Sequence, residues 1–334
     1  MRYVNAGKEE SHFMSRINPH QQYLLEEFAE DYLAHQMSRR DMIRRSLYAT
    51  GSIALTATTL FALGCGGGDD DDEAGSTPTT TAPEATIAPA AAPTTPAGGP
   101  PGAVAENDPA VTSQDVTFQG PGGTVFGYLA RPSANGSYPG IIVIHENRGL
   151  LPHFKDVSRR YAKQGFVALA VDLASRLGGT ATAGQQVGQV PPADAVADLQ
   201  SGLDYLKAQS YVKASALGVT GFCFGGGYTF DLAAASPDIK AAAPYYGTAM
   251  RALAMGLSAT KAAVHVMYGE TDTRLTEQRT QVEPALQQTG RPYMITVHAG
   301  AGHAFFNDTG GSYNEKAATD AWNATLAWFR QHLV

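Results

Sequence analysis

From Val111 to the end of the chain, short apolar stretches alternate with amphipathic ones. Apolar runs bounded by glycine or polar turns are typical of strands, and an apolar stripe that returns every three to four residues indicates a helix. The pattern predicts strands at Asp115–Gln119, Val125–Ala130, Ile141–His145, Val167–Val171, Leu217–Thr220, Ala241–Tyr245, Val264–Tyr268 and Tyr293–Val297. It predicts long helices at Pro152–Gln164, Ala193–Gln209, Gly225–Ala235, Glu277–Thr289 and Tyr313–His332.

The order of these elements predicts the fold class. The first two strands flank Gly120-Pro121-Gly122-Gly123, which favours an antiparallel hairpin. The later strands are continuously apolar and are separated by helices, as expected of parallel strands covered on both faces. We therefore predict an α/β fold with a doubly wound, mostly parallel sheet and an N-terminal hairpin. Ligands are expected beyond the carboxyl ends of the strands.

The sequence Gly221-Phe222-Cys223-Phe224-Gly225 lies between a predicted strand and a predicted helix. A strand, a Gly-x-nucleophile-x-Gly turn and a helix form the nucleophile elbow of α/β-hydrolases, and here the nucleophile position holds cysteine. We expect the turn to need both glycines, because a Cβ on either side would clash. The backbone N–H of Phe224 would then face a developing oxyanion. Alone, the pentapeptide fits an inert buried thiol equally well.

Two polar side chains follow later strands in the order nucleophile, acid, base that this topology requires. Asp272 comes after the seventh strand, in Gly269-Glu270-Thr271-Asp272, and His303 comes after the eighth, in Gly302-His303. We expect Asp272 to orient the imidazole, since it lies further past the strand than Glu270, the alternative acid. Asp272 could instead cap the following helix, and His303 could be a surface histidine.

Residues 66–110 differ in composition from the rest of the chain. They are rich in Gly, Asp, Thr, Ala and Pro, and they include four consecutive aspartates from Asp69. A segment with so few large apolar side chains cannot bury a core, so we predict a disordered linker. The folded domain is then expected over residues 111–334, a normal size for one α/β domain.

A Tat-type signal peptide is predicted over residues 1–65. The twin arginine Arg39-Arg40 precedes a mildly apolar stretch that ends at Gly64-Cys65. A twin arginine indicates export by the Tat route, and Cys65 resembles the cysteine of an imperfect lipobox. We expect an exported lipoprotein at the outer face of the cytoplasmic membrane or in the periplasm. A plain membrane anchor and an uncleaved signal remain alternatives.

Charge and cysteine content limit the partners. The formal net charge of −7 arises after residue 64, and the mature part has no basic runs, which argues against binding to nucleic acid or anionic membranes. Contact with the membrane is expected only through a lipid on Cys65, and the protein is expected to be a monomer.

The nine histidines show no metal-ligand spacing, so a zinc site is not expected. Cys223 has no second cysteine nearby to resolve a sulfenate, which disfavours a redox sensor.

Together these motifs resemble the dienelactone hydrolase family over about residues 112–332. The likeness rests on the cysteine elbow, Gly269-Glu270-Thr271-Asp272, Gly302-His303-Ala304-Phe305 and His145-Glu146-Asn147-Arg148-Gly149. It implies an α/β-hydrolase that cleaves esters or lactones without a metal or organic cofactor. The triad would be Cys223, His303 and Asp272, with a thioester acyl-enzyme. The alternative is an exported, non-enzymatic binding protein on the same fold.

The resemblance also implies roles for residues around the triad. The Glu146 carboxylate would contact the resting thiol and help to generate the thiolate when substrate arrives. The backbone N–H groups of Phe224 and Asn147 would form the oxyanion hole.

One part of the family pattern is incomplete. Dienelactone hydrolases hold a substrate carboxylate with two arginines, and Arg176 fits the first. The second is expected four residues after His303, where this chain has Asn307. Arg148 is the remaining candidate for that role. The reaction class is therefore predicted more firmly than the substrate.

Overall fold

Eight strands form one sheet in the computed structural model, which describes residues 21, 24, 25, 28, 29, 32, 38–50 and 102–334. The strands are β1 (Val111–Gly120), β2 (Gly123–Pro132), β3 (Tyr138–Ile144), β4 (Val167–Val171), β5 (Val212–Phe222), β6 (Ile239–Tyr245), β7 (Ala263–Gly269) and β8 (Tyr293–His298). Their order across the sheet is β1-β2-β4-β3-β5-β6-β7-β8. β2 is antiparallel to both β1 and β4, and all other neighbours are parallel. The predicted fold class is confirmed.

The α-helices of the described residues are α1 (Arg39–Thr50), α2 (Pro152–Lys163), α3 (Thr180–Ala183), α4 (Pro192–Lys207), α5 (Phe224–Ala235), α6 (Met250–Met255), α7 (Thr273–Gln288) and α8 (Glu315–His332). Short 3₁₀ turns lie at Ser175–Leu177, Gly184–Gln189 and Leu257–Ala259. The ends of the long helices follow local chemistry. α2 has proline in its first turn, and Asn314 caps α8 by accepting from the Ala317 N–H at 3.0 Å.

The central strands are buried because helices cover both faces of the sheet. On one face, Tyr161 of α2 packs against Trp322 of α8, with ring centroids 4.5 Å apart. On the other face, the backbone of α4 at Gly202 lies against Ile142 and Val171. Parallel strands covered in this way need apolar side chains in both directions, which explains their unbroken apolar runs.

The folded domain begins earlier than the predicted residue 111. The Val104 side chain is buried, its N–H donates to Asp156 Oδ1 at 2.7 Å, and its carbonyl accepts from Arg159 Nε at 2.6 Å. Residues within the predicted linker therefore pack on α2. The rest of that linker, up to residue 101, and the predicted lipobox cysteine Cys65 lie outside the described residues.

The described part of the predicted leader contacts the domain. Met42 of α1 is buried, and Arg44 Nη2 donates to Gln185 Oε1 at 2.6 Å, whereas Arg39 and Arg40 are exposed. None of the helices described combines the length and the apolar character that a bilayer crossing requires.

Candidate active site

Cys223 occupies the sharp turn between β5 and α5. Its backbone has φ 55° and ψ −118°, a conformation that a non-glycine residue rarely adopts. A Cβ at Gly221 would collide with the backbone of Gly225, and a Cβ at Gly225 would collide with the carbonyls of Ile144 and His145. The two glycines are therefore required by the close approach of backbone on both sides of the turn, as expected from the sequence.

Hydrogen bonds hold this turn in place. The Cys223 N–H donates to the Tyr245 carbonyl at 3.0 Å, and the Cys223 carbonyl accepts from the Gly227 N–H at 3.1 Å. Phe224 is the first residue of α5, and backbone N–H groups at a helix N-terminus point toward anions. Asn147, the other predicted oxyanion donor, is buried in the loop that follows β3.

His303 and Asp272 form a direct pair, with 2.7 Å between Nδ1 and Oδ2. The Asp272 side chain is only 1 % exposed, and although the residue sits at the N-terminus of α7, its carboxylate makes no capping hydrogen bond. Glu270 is exposed and accepts instead from the Gly300 N–H at 2.8 Å. The imidazole is therefore oriented by Asp272. Because Nδ1 is bound to the carboxylate, Nε2 is the ring nitrogen suited to proton exchange.

Tyr246 lies between the histidine and the glutamate of the site. Its ring makes an edge contact with His303, with centroids 5.2 Å apart, and its hydroxyl donates to Glu146 Oε1 at 3.4 Å. Burial raises the pKa of the Tyr246 phenol well above its usual value, and the nearby charges of Glu146 and Cys223 raise it further. The phenol thus stays protonated and acts as a hydrogen-bond donor.

Asn307 holds the second oxygen of Glu146. Its amide Nδ2 donates to Glu146 Oε2 at 2.9 Å, while its Oδ1 accepts from the N–H and the hydroxyl of Thr309 at 3.1 and 2.7 Å. These opposite partners fix the orientation of the amide. At the position where the family resemblance implies a substrate-binding arginine, this chain therefore has a neutral group that binds Glu146.

The predicted substrate contact of Arg176 is not supported, because its guanidinium is already bound to protein. Nε and Nη2 form a two-pronged pair with Asp198 at 2.8 and 3.0 Å, and Nη1 lies 3.2 Å from Asp194. Hydrogen bonding to Asp198 raises the pKa of Arg176 further. The guanidinium also lies where a Cβ at Gly122 of the hairpin turn would be, so Arg176 joins α4 to that turn. The sequence could not show this, since the partner carboxylates are on a helix that follows.

Arg148 is half-buried in the loop after β3, and its predicted contact with substrate remains a prediction. This loop is braced by Thr180 of α3. The Thr180 hydroxyl accepts from the Leu150 N–H at 2.6 Å and donates to Asp172 Oδ1 at 2.8 Å. Asp172 Oδ2 accepts in turn from the Thr180 N–H at 2.7 Å. The loop that carries Glu146 is therefore tied to the end of β4.

His145 is a structural residue beside the site. Its Nδ1 donates to the Glu146 carbonyl at 2.6 Å, and its Nε2 accepts from the Leu173 N–H at 3.0 Å, a pairing that only the neutral Nδ1–H tautomer satisfies. Burial lowers the pKa of His145, consistent with a neutral ring. His145 thus joins the carboxyl ends of β3 and β4.

The sequence reasoning missed Tyr246 and the contact between Asn307 and Glu146. Tyr246 directly follows β6, so the rule that ligands bind at the carboxyl ends of strands would have found it. The pairing of Asn307 with Glu146 joins residues 161 positions apart, and no local pattern indicates it. Within the ranges that the structure describes, no group of His, Cys, Asp or Glu is arranged to hold a metal ion.

Comparisons with known proteins agree with this architecture. The family model of the dienelactone hydrolases matches residues 125–333. A Synechocystis protein assigned as a carboxymethylenebutenolidase is 34% identical over 228 residues, which cover 63% of this chain and 92% of the relative. A Salmonella typhimurium protein with the same assignment is 32% identical over 251 residues, or 70% of this chain and 90% of the relative.

A solved structure shows the same relationship. The crystal structure of a protein from Klebsiella pneumoniae assigned as a dienelactone hydrolase aligns with a TM-score of 0.61 and 31% identity, covering 67% of this chain and all of the other. The chain belongs to the dienelactone hydrolase family, whose members hydrolyse lactones and esters.

Proposed function

We propose that the chain hydrolyses carboxylic esters or lactones through a Cys223–His303–Asp272 triad and a thioester acyl-enzyme. The observation that carries the proposal is the pair between His303 and Asp272 on the loops that follow β7 and β8. The strained elbow holds Cys223 on the loop after β5, at the same edge of the sheet. A nucleophile, a base and a group that orients the base are what covalent acyl transfer requires.

The reaction proceeds in two stages. In acylation, the Cys223 sulfur attacks the ester carbonyl, and its proton passes to His303 Nε2. The carbon–oxygen bond of the ester then breaks, and the leaving alkoxide takes the proton from His303. In deacylation, water attacks the thioester, gives a proton to His303 and releases the acid, and the proton returns to the sulfur. Asp272 stabilises the transient imidazolium.

The environment of Glu146 supports its role beside the thiol. Two neutral donors, the Tyr246 hydroxyl and the Asn307 amide, bind its two carboxylate oxygens. Tyr246 also lies close enough to Cys223 for the sulfur's charge to raise the tyrosine pKa. We propose that Glu146, held by these donors, contacts the resting thiol and helps to generate the thiolate when substrate enters, while His303 receives the proton. We also propose that Phe224 and Asn147 bind the oxyanion through their N–H groups.

The site is poorly equipped for a small anionic lactone. Arg176 is bound to Asp198 and Asp194, and the position of the second clamp arginine holds neutral Asn307. The names of the relatives refer to butenolide hydrolysis, but this pairing pattern favours an ester or lactone without a free carboxylate. No observation favours the non-enzymatic alternative.

The proposal is tested with a panel of p-nitrophenyl esters of increasing chain length and with dienelactone, a lactone that bears a carboxylate. Wild type is compared with Cys223→Ala and with the matched control Cys65→Ala, which removes the other cysteine of the chain. We expect turnover by wild type and by the Cys65 variant, no turnover by the Cys223 variant, and a mass increase equal to one acyl group after rapid quenching. Full activity of Cys223→Ala would overturn the proposed nucleophile.

We further propose that the protein is exported and tethered through Cys65. The twin arginine and the apolar stretch before Cys65 support this. Cell fractionation with metabolic palmitate labelling tests it. Wild type should label and sediment with membranes, Cys65→Ala should not label, and replacement of Arg39-Arg40 by two lysines should leave the protein in the cytoplasm. Unlabelled wild type in the cytoplasm contradicts the proposal.

A further inference from the structure

A cluster of charged side chains lies between α2 and the loop after β8, and none of its members belongs to the proposed triad. Its members are His153, Asp156, Arg159, Arg160 and Asp308. The Arg160 side chain is 3 % exposed, and only Asp308, at 26 %, has substantial access to water. Charges buried to this degree are tolerated only when each keeps its partner, so displacement of one member disturbs the others.

One end of the cluster holds the start of the folded domain. Asp156 Oδ1 accepts from the Val104 N–H at 2.7 Å, and Arg159 Nε donates to the Val104 carbonyl at 2.6 Å. We call residues 102–110 the strap. The strap precedes residues 125–333, the range that matches the family model.

The middle of the cluster connects the strap to the loop after β8. Arg160 Nε donates to Asp156 Oδ2 at 2.7 Å, and Arg160 Nη2 lies 2.5 Å from Asp308 Oδ2. His153 Nδ1 lies 3.0 Å from the other oxygen of Asp308. Both carboxylates thus hold the same guanidinium, and Asp308 is fixed from two directions.

The far end of the cluster adjoins the candidate active site. Asp308 follows Asn307, whose amide binds Glu146, and the same loop after β8 carries His303. The loop is tightly folded, since the Asn307 N–H donates to the Ala304 carbonyl at 3.1 Å. A shift of Asp308 therefore moves Asn307 and, through it, the Glu146 carboxylate.

We propose that the strap, Asp156, Arg160 and Asp308 position the loop of His303 and Asn307, so that the start of the domain helps to set the reactivity of Cys223. The inference rests on the hydrolase function proposed above. None of these residues touches the reacting atoms, and they are positioning residues. A displacement of about 1 Å at a catalytic group is enough to slow a reaction strongly.

The first test uses the full chain with Cys65→Ala, so that Cys223 is the remaining thiol. Asp308→Asn keeps the size of the side chain but removes its charge toward Arg160. The matched control is Glu283→Gln, which breaks the exposed pair with Arg279 on α7. We expect Asp308→Asn to lower kcat about tenfold with KM nearly unchanged, and Glu283→Gln to behave as wild type.

The second test acts on the strap in the same background. Val104→Pro removes the N–H that Asp156 accepts, because proline has no backbone donor. The control Ala103→Pro adds proline at the neighbouring exposed residue. We expect Val104→Pro to reproduce the loss in kcat of Asp308→Asn, and the double variant to lose little more, because both act through one connected cluster.

The readout independent of substrate is the rate of Cys223 alkylation by iodoacetamide from pH 5 to pH 9. We expect Asp308→Asn and Val104→Pro to change this rate about threefold or more, and both controls to follow wild type. If the two variants lose thermal stability but keep the wild-type kcat and alkylation profile, the cluster is merely structural and the proposal is overturned. If wild type cleaves no ester, the proposed function fails, and the alkylation comparison still decides for or against the strap.

Discussion

Asp272 stands at the N-terminus of α7, yet its carboxylate turns away from that helix and binds His303 Nδ1 at 2.7 Å. An aspartate in this position ordinarily accepts from N–H groups of the first turn and stabilises the helix by about 1 kcal/mol. Here the helix begins without that side-chain bond. The helix therefore lacks the stabilisation that a capping carboxylate would give, and the Asp272 carboxylate binds the imidazole of His303 instead.

Asp272→Asn should abolish most of the activity while leaving the fold intact. A carboxamide can donate to Nδ1, which favours the wrong imidazole tautomer and removes the charge that stabilises the imidazolium. We expect kcat for ester hydrolysis to fall about 10³-fold or more, with KM little changed. Glu270→Gln, two residues earlier and exposed, is the control and should retain wild-type kinetics. A larger loss in the Glu270 variant would reassign the acid.

Gly225→Ala should destabilise the protein severely. The added Cβ would meet the carbonyls of Ile144 and His145, which are backbone atoms at the end of β3 and cannot move aside. We expect a loss of about 3 kcal/mol or more in the free energy of unfolding, or failure to yield soluble protein. Gly311→Ala makes the same change where nothing lies within 4 Å, and its urea midpoint should match wild type.

Arg176→Met should reduce stability and leave substrate binding unchanged. The substitution leaves the Asp198 carboxylate, which is 1 % exposed, without its guanidinium partner. Breaking one member of a buried pair costs about 3 kcal/mol, and replacing both members costs much less. Thermal unfolding of Arg176→Met and of the double variant with Asp198→Leu tests this. A raised KM for the single variant, with stability unaltered, would restore Arg176 as a substrate contact.

Asp308 should contribute to stability at neutral pH and lose its contribution in acid. Burial alone would raise the pKa of Asp308, but the contacts with His153 and Arg160 outweigh it and lower the pKa to about 2, against 3.8 for the free group. A carboxyl whose pKa is lower in the folded state stabilises the fold above the unfolded pKa. That stabilisation is lost as pH falls through the folded value, between about pH 4 and pH 2.

Urea unfolding from pH 7 to pH 2 measures this contribution. Because Asp308 is partly exposed, we expect wild type to exceed Asp308→Asn by about 1 kcal/mol at pH 7 and to converge with it near pH 2. A difference between the two proteins that persists unchanged at pH 2 would show that the charge of Asp308 is not the cause.

The strands and the order of the motifs could be predicted because they depend on local patterns. The apolar run of β4, for example, needs only its own five residues to identify it as a buried strand. The placement of Cys223, Asp272 and His303 at one edge follows once the strands are known to be parallel. The short helices α3 and α6 have too few residues for a helical period to show.

Which charged side chains pair with each other could not be predicted from the sequence. Arg176 follows a strand, where a ligand contact is expected, but the two carboxylates that bind it lie on α4, and three-dimensional packing alone decides the pairing. The early start of the domain was hidden for a similar reason. Val104 lies in a polar, proline-rich segment whose composition is typical of a linker. Its two hydrogen bonds to α2 are made by its backbone N–H and carbonyl, which sequence composition does not reveal.

Three non-glycine residues of the described chain adopt positive φ, and all of them belong to the candidate site: Cys223, Tyr246 and Ala304. Each such conformation costs about 1–3 kcal/mol, which the surrounding packing must sustain. Relief of this strain at one of the three positions should therefore stabilise the fold. The side chains of Cys223 and Tyr246 are needed in the proposed site, whereas Ala304 has only a methyl group. Ala304→Gly should therefore raise the melting temperature, because glycine adopts a positive φ without strain and no hydrogen-bonding group is lost.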